Sequence, residues 1–163
     1  MPHPDASAPV AWNRSWHDFF VQFFTAERTA VLATARDNWP YCSLMAFAWL
    51  SEDPRRLVLA SPRQSRKVAN IEVNPNVSLL IDNSRNDAED SHTAQAVTLI
   101  AEAALCPASQ HREAARVFSA RHPHLHSFVD QDSTALLCLR VSRFVVVEHF
   151  QQVTQVDSGL AFH

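Results

Sequence analysis

Ser61 to Asp82 reads S-P-R-Q-S-R-K-V-A-N-I-E-V-N-P-N-V-S-L-L-I-D, and this stretch decides the fold. Ser61, Pro62 and Gln64 have the order of a capping box: serine as cap, proline at the first helical position, glutamine three residues after the serine. The spacing predicts a helix to about Val73. It ends before Asn74-Pro75, because the residue ahead of a proline is pushed out of helical geometry. Val77 to Ile81 (VSLLI) then reads as a strand. Within the helix, Arg63, Arg66, Lys67 and Asn70 are spaced i, i+3, i+4, i+7 and share one face, while Val68 and Ile71 share another. Ser61 and Ser65 stand at the helix start, where backbone N–H groups lack partners. Two readings fit that spacing equally: a solvated basic face, or a site for a dianion held by cations, hydroxyls and the helix N-terminus.

Working outward, strands surround this helix. Thr29 to Ala35 (TAVLATA), Tyr41 to Leu50 (YCSLMAFAWL) and Arg56 to Ala60 (RLVLA) precede it, joined by short turns at Arg36–Pro40 and Ser51–Pro54. That is an antiparallel meander. Ahead of it, Ser15 to Ala26 has apolar Trp16, Phe19, Phe20, Phe23 and Phe24 at helical spacing, which reads as a core-facing stripe. Ser15 is the expected cap. After the helix come the strand Val77–Ile81, a polar loop Asn83–Ala94 and a strand Ala96–Leu105. A helical insertion follows, over Pro107–Ala120 with a second piece near Leu125–Val129. A strand Thr134–Val147 comes next, broken near Ser142-Arg143, with a last edge strand over residues 150–156. The expected architecture is mainly β: a six-stranded antiparallel barrel with a few helices, whose closure removes edges. Residues 1–12 are expected to be a disordered arm and 13–163 a single domain.

Composition narrows the chemistry. The chain has 163 residues and one glycine, Gly159; average usage of ~7% would give roughly eleven. No glycine-rich dinucleotide or phosphate loop is present, so any phosphate must be held by side chains and ordinary backbone. The formal net charge of −3 does not favour nucleic acid as a partner. No apolar run is long enough to cross a membrane and no signal peptide is recognisable, so the cytoplasm is the expected location. Lys67 is the only lysine beside thirteen arginines. Cys42, Cys106 and Cys138 are odd in number and widely spaced, which argues against a disulfide framework or a zinc site; Cys42 and Cys138 are expected in the core.

The run S-R-K-V-A-N-I-E-V-N-P-N-V-S-L-L-I-D, Ser65 to Asp82, preceded by P-Y-C-S-L-M-A-F at Pro40–Phe47, resembles the flavin-binding split-barrel proteins of the pyridoxamine 5′-phosphate oxidase type. The similarity is good from about Thr29 to Ala104 and looser outside it. The resemblance implies a six-stranded Greek-key split barrel that forms a homodimer with FMN at the subunit interface. It implies that Arg66 and Lys67 grip the FMN phosphate with Ser61, and that Ser43, Leu44 and Met45 run beside the flavin. Gln151 would approach from either subunit. It further implies a flavin-dependent oxidoreductase acting on a small molecule, with an electron donor such as NAD(P)H. The alternatives are a non-enzymatic flavin-binding or flavin-sensing protein and a heme-binding relative.

The pattern of the true oxidases is departed from at several points. Ser43 stands where they carry an arginine and Ala48 where they carry a lysine. No tryptophan follows Trp49, and no arginine follows Arg143. The resemblance is therefore to the small relatives. Elsewhere, His122, His124 and His126 (H-P-H-L-H) read as a solvated turn, and Asp82, Asp87, Glu89 and Asp90 lack calcium-loop spacing.

Overall fold

The computed structural model describes residues 7–161. Its strands are β1 (Val10–Ala11), β2 (Thr29–Arg36), β3 (Trp39–Trp49), β4 (Arg56–Pro62), β5 (Asn76–Asp82), β6 (Ala96–Leu105), β7 (Thr134–Glu148) and β8 (Gln152–Asp157). The helices are α1 (Arg14–Ala26), α2 (Arg66–Val73), α3 (Asp90–Thr93), α4 (Ala108–Arg121) and α5 (His126–Val129). The sheet order is β1-β8-β7-β4-β3-β2-β5-β6, and β6 pairs with β7 as well. That last pairing closes β2 to β7 into a six-stranded antiparallel barrel with helices, as the strand pattern predicts.

Side chains alternate along each strand, so one row fills the barrel and the other faces out. Leu32, Phe47, Leu57, Leu59, Leu79, Ile81, Leu99, Leu137 and Phe144 are all at most 1% exposed. The α1 stripe joins this interior: the rings of Phe20 and Phe144 stack with centroids 4.1 Å apart, and Phe24 meets Phe47 edge-on. A second, smaller core lies outside the barrel, where Ala114 and Phe118 of α4 cover Ala48, Val58 and Leu136.

Several expectations need correction. Asn13, not Ser15, caps α1, its Oδ1 accepting from the Trp16 N–H at 3.1 Å. Of the arm expected over 1–12, residues 1–6 lie outside the described residues. Val10–Ala11 is a strand parallel to β8, and Trp12 packs on Phe20 and Phe144. The strand expected at the edge is thus covered by β1. β7 is continuous; the irregularity expected near Ser142 is a bulge, with Ile100 opposite Arg143 and Ala101 opposite Val141. Cys106 and Cys138 form a disulfide across the start of the helical insertion. Their proximity comes from β6–β7 pairing, which spacing along the chain does not reveal. Cys42 is exposed, not in the core. His122 is 2% exposed, so H-P-H-L-H is not wholly a solvated turn.

The shortage of glycine has a visible consequence. Asp37 and Asn38, at the β2–β3 turn, have φ of 53° and 61°. Both central residues are in the left-handed region, as a two-residue hairpin requires. Asp and Asn are the non-glycine residues that tolerate it best.

Candidate functional site

The barrel is split between β3 and β4. The two strands pair only where Phe47, Ala48 and Trp49 face Leu59, Val58 and Leu57. Before Phe47, β3 is bonded to β2 alone; after Leu59, β4 is bonded to β7 alone, through Ala60, Ser61 and Pro62. Each strand therefore turns a free edge toward the opening. The start of α2 lies beside it.

That helix starts later than its sequence suggests. Ser61 and Pro62 remain in the ladder opposite Ala135 and Thr134, so the capping box does not form. Pro62 is tolerated there because it ends the strand. Ser65 caps α2 instead, its Oγ accepting from the Val68 N–H at 3.4 Å. Arg63 falls outside the helix and donates to the carbonyls of Asp132 and Thr134 at 3.3 and 3.1 Å. Asn70 is buried and donates to Thr34 Oγ1 at 3.0 Å. The expected common face of Arg63, Arg66, Lys67 and Asn70 is therefore not present.

Three of its neighbours do converge. Ser61 Oγ and Ser65 Oγ are 2.9 Å apart, and Lys67 Nζ donates to Ser61 Oγ at 3.4 Å. Burial lowers the Lys67 ammonium from the usual lysine range. It has no carboxylate within ion-pair distance among the described residues. Arg66 turns aside: its guanidinium lies over the Tyr41 ring at 4.9 Å and lines a cavity of about 290 Å³ with Arg36, Trp39 and Asn70. Tyr41, which sequence reading did not single out, fixes Arg66 at the rim of the opening.

The other expected residues are placed as follows. Ser43 is half-buried on the split part of β3, on the same side of the strand as Tyr41. Leu44 points outward and is 72% exposed, whereas the Met45 side chain is buried in the barrel, leaving only its backbone available. Gln151 lies in the β7–β8 turn with φ of 77°. Ser61 is level with Ala135 near the start of β7, whereas Gln151 follows that strand's other end. The fold does not bring Gln151 to the Ser61 cluster within one chain.

A cation with a lowered pKa, two hydroxyls and a nearby second cation match a phosphate's needs. Two free strand edges match a flat, polar-rimmed ring system. The donor set therefore suits a phosphate-bearing ligand. Among the described residues, no group of three or more His, Cys, Asp or Glu is arranged to hold a metal ion, and no helix is long and apolar enough to cross a membrane.

A closed six-stranded barrel, opened between two strands beside a cationic helix start, defines a split-barrel protein. A family model described as pyridoxamine 5′-phosphate oxidase matches residues 17–148. The chain belongs to that family. Solved structures agree at the level of fold. A heme binding protein from Mycobacterium smegmatis superposes with a TM-score of 0.76 at 15% identity, covering 90% of this chain and 63% of that one. The chain thus spans less than two thirds of that protein. A FAD-binding protein from Mesorhizobium loti gives 0.61 at 17% identity, covering 77% and 87%. HutZ, the heme storage protein from Vibrio cholerae, gives 0.65 at 18%, covering 78% and 89%. No curated protein matches the sequence significantly.

Proposed function

We propose that this protein binds FMN in the split between β3 and β4 and is a flavin-dependent oxidoreductase for a small molecule, with NAD(P)H as a candidate electron donor. The observation that carries this reading is the convergence of Lys67, Ser61 and Ser65 beside two unpaired strand edges. Lys67 and the hydroxyls would bind the phosphate, with Arg66 swinging from Tyr41 or acting from the rim. An anion there would offset the cost of desolvating the Lys67 charge. The backbone of Ser43, Leu44 and Met45 would present N–H and C=O groups to the ring edge. When bound, the flavin supplies the hydride chemistry; the protein supplies placement and electrostatics.

The reading includes a homodimer. Leu44, Val31 and Leu80 lie in register across β3, β2 and β5 on the outer face; Leu44 is 72% and Leu80 40% exposed. Such an apolar row on a barrel exterior suits a second copy, and Gln151 of that copy could then reach the opening.

The purified protein is expected to be yellow, to release FMN on denaturation, and to scatter light with the mass of two chains. Arg66→Ala with Lys67→Ala should weaken FMN binding by about 100-fold or more, as loss of two charge-assisted contacts implies, with the circular dichroism spectrum retained. Undiminished FMN in the double variant would overturn the site. A Soret band without flavin would replace FMN by heme, which the heme-binding neighbours keep as the second reading. Bleaching of bound flavin by NAD(P)H would separate an enzyme from a passive binder.

A further inference from the structure

The opposite end of β4 from Ser61, roughly 17 Å along the strand, opens on a different and larger cavity. It holds about 580 Å³ and lies between the starts of β4 and α4, the end of β6, the middle of β7 and the chain at Leu160. Three charged residues lining it are in register on adjacent strands: Arg56 of β4 faces Arg140 of β7, and Arg140 faces Glu102 of β6. Like charges directly opposite across an antiparallel pair repel and destabilise the sheet.

Nothing among the described residues neutralises the two arginines by contact. Asp53, also in the lining, is committed elsewhere: its carboxylate accepts Arg55 Nε and Nη2 at 2.9 Å each and the Arg55 backbone N–H at 3.0 Å. Among the described residues, Arg140 Nη2 donates to a neutral partner, the Ala161 carbonyl, at 2.9 Å. The Arg56 and Glu102 side chains join none of the ion pairs among the described residues. The rest of the wall is mainly apolar, with Leu105, Pro107, Leu160 and the disulfide-bonded Cys138, and Gln110 adds one neutral polar side chain. At the same wall, α4 begins after Pro107 without a side-chain cap, so the positive end of its dipole adds to the arginines' field.

We propose that this cavity is a binding site for a small organic monocarboxylate with an apolar body. The carboxylate bridges Arg56 and Arg140, and the body rests on Leu105, Pro107 and Leu160. A planar guanidinium matches a carboxylate in bidentate geometry. The volume falls in the range of small-molecule sites, roughly 300–1,000 Å³. Glu102 decides the charge of the ligand. With it, the Arg56–Arg140–Glu102 row carries one net positive charge, which a monoanion cancels and a dianion exceeds. The inference is independent of the flavin reading, because none of these residues lies at the β3–β4 split.

The test is titration calorimetry of the full chain, as purified, with 4-phenylbutanoate and with its neutral counterpart 4-phenylbutanamide. The wild type should bind one carboxylate per chain, saturably, and the amide should give no saturable heat. Arg56→Gln and Arg140→Gln should each weaken binding by at least about tenfold, the value of one charge-assisted contact, without changing the protein's flavin content. In the wild type, amide resonances of Leu105, Cys106, Arg140 and Leu160 should shift on titration, which tests the site without relying on any variant. Absence of saturable binding, equal binding of the amide, unchanged affinity in both variants, or shifts confined to Ser61–Lys67 would each overturn the proposal.

Discussion

From Phe47 to Trp49, β3 is bonded to β4 from Leu57 to Leu59; from Trp39 to Ala46 the same two strands stand apart. The closed part is among the most heavily packed regions of the molecule. Phe47 is fully buried, with Phe24 and Trp49 beside it. Its carbonyl accepts both Arg121 Nε at 3.1 Å and His122 Nε2–H at 2.8 Å. Arg121 also donates from Nη2 to the Phe24 and Glu27 carbonyls, and its guanidinium covers the Phe47 and Trp49 rings. α4 and the Cys106–Cys138 disulfide cover the outside. The split part has the reverse character: free backbone edges, hydroxyls and a cation with no carboxylate partner among the described residues. The comparison teaches that one strand pair serves two purposes in sequence. Phe47–Trp49 and Leu57–Leu59 hold it shut, and beyond them, toward Ser43 and Ser61, the two strands part.

The sharpest way to break the comparison is to damage the closed part. Phe47→Ala should destabilise the protein by about 3–5 kcal/mol, the usual cost of emptying a buried aromatic site, as read by urea denaturation. The same experiment on Lys67→Met should show no loss of stability, because that ammonium is partly desolvated without a counter-charge; a large loss there would erase the distinction. Next in size is the disulfide, which closes a loop of sequence separation 32. Reduction by a dithiol should lower stability by about 3.7 kcal/mol on loop-entropy grounds, measured as a shift of the denaturation midpoint.

A smaller effect is expected from pH. Burial holds the His122 imidazole below the usual histidine range, and the neighbouring Arg121 charge acts the same way. The unfolded chain therefore takes up a proton that the folded one refuses. Stability should fall as pH drops through the ordinary histidine range and level off below the lowered folded value. His122→Gln should remove that part of the slope. The smallest change lies at the tip of the split part. Asn38→Gly should stabilise by about 0.5–1 kcal/mol by relieving a left-handed non-glycine residue, seen as a rise in melting temperature.

Much of this organisation was legible in local pattern. Ala96–Leu105 and the end of α2 at Val73 follow from alternation and from Asn74-Pro75, both short-range signals. The barrel follows because six apolar strands need a closed partner set. Local signals place the start of α2 four residues early because Ser61 and Pro62 are claimed by β7, a partner more than seventy residues away in sequence. The β7 ladder outweighed a local cap. For the same reason the Ser61–Ser65–Lys67 cluster was found but not its geometry. Local spacing puts Arg63 on the helix although it bonds the Asp132 and Thr134 carbonyls, and it carries no signal for the Tyr41–Arg66 contact, which depends on how α2 lies against β3. The Cys106–Cys138 pair rests on β6–β7 register rather than on spacing along the chain. Antiparallel strands flanking an insertion meet where the insertion leaves, and Cys106 stands at that point.

The unpaired edges of β3 and β4 have a second consequence, for solubility. An exposed strand edge is a template on which another extended chain can add, and sheets that leave one open are prone to assemble edge to edge. Here the gap is bordered by α2, whose Lys67, the one lysine of the chain, is partly buried and donates to Ser61 Oγ at the end of β4. A strand that tried to fill the gap would have to bury that ammonium against its own backbone. Lys67 thus protects the opening from polypeptide while leaving it suited to a small anion.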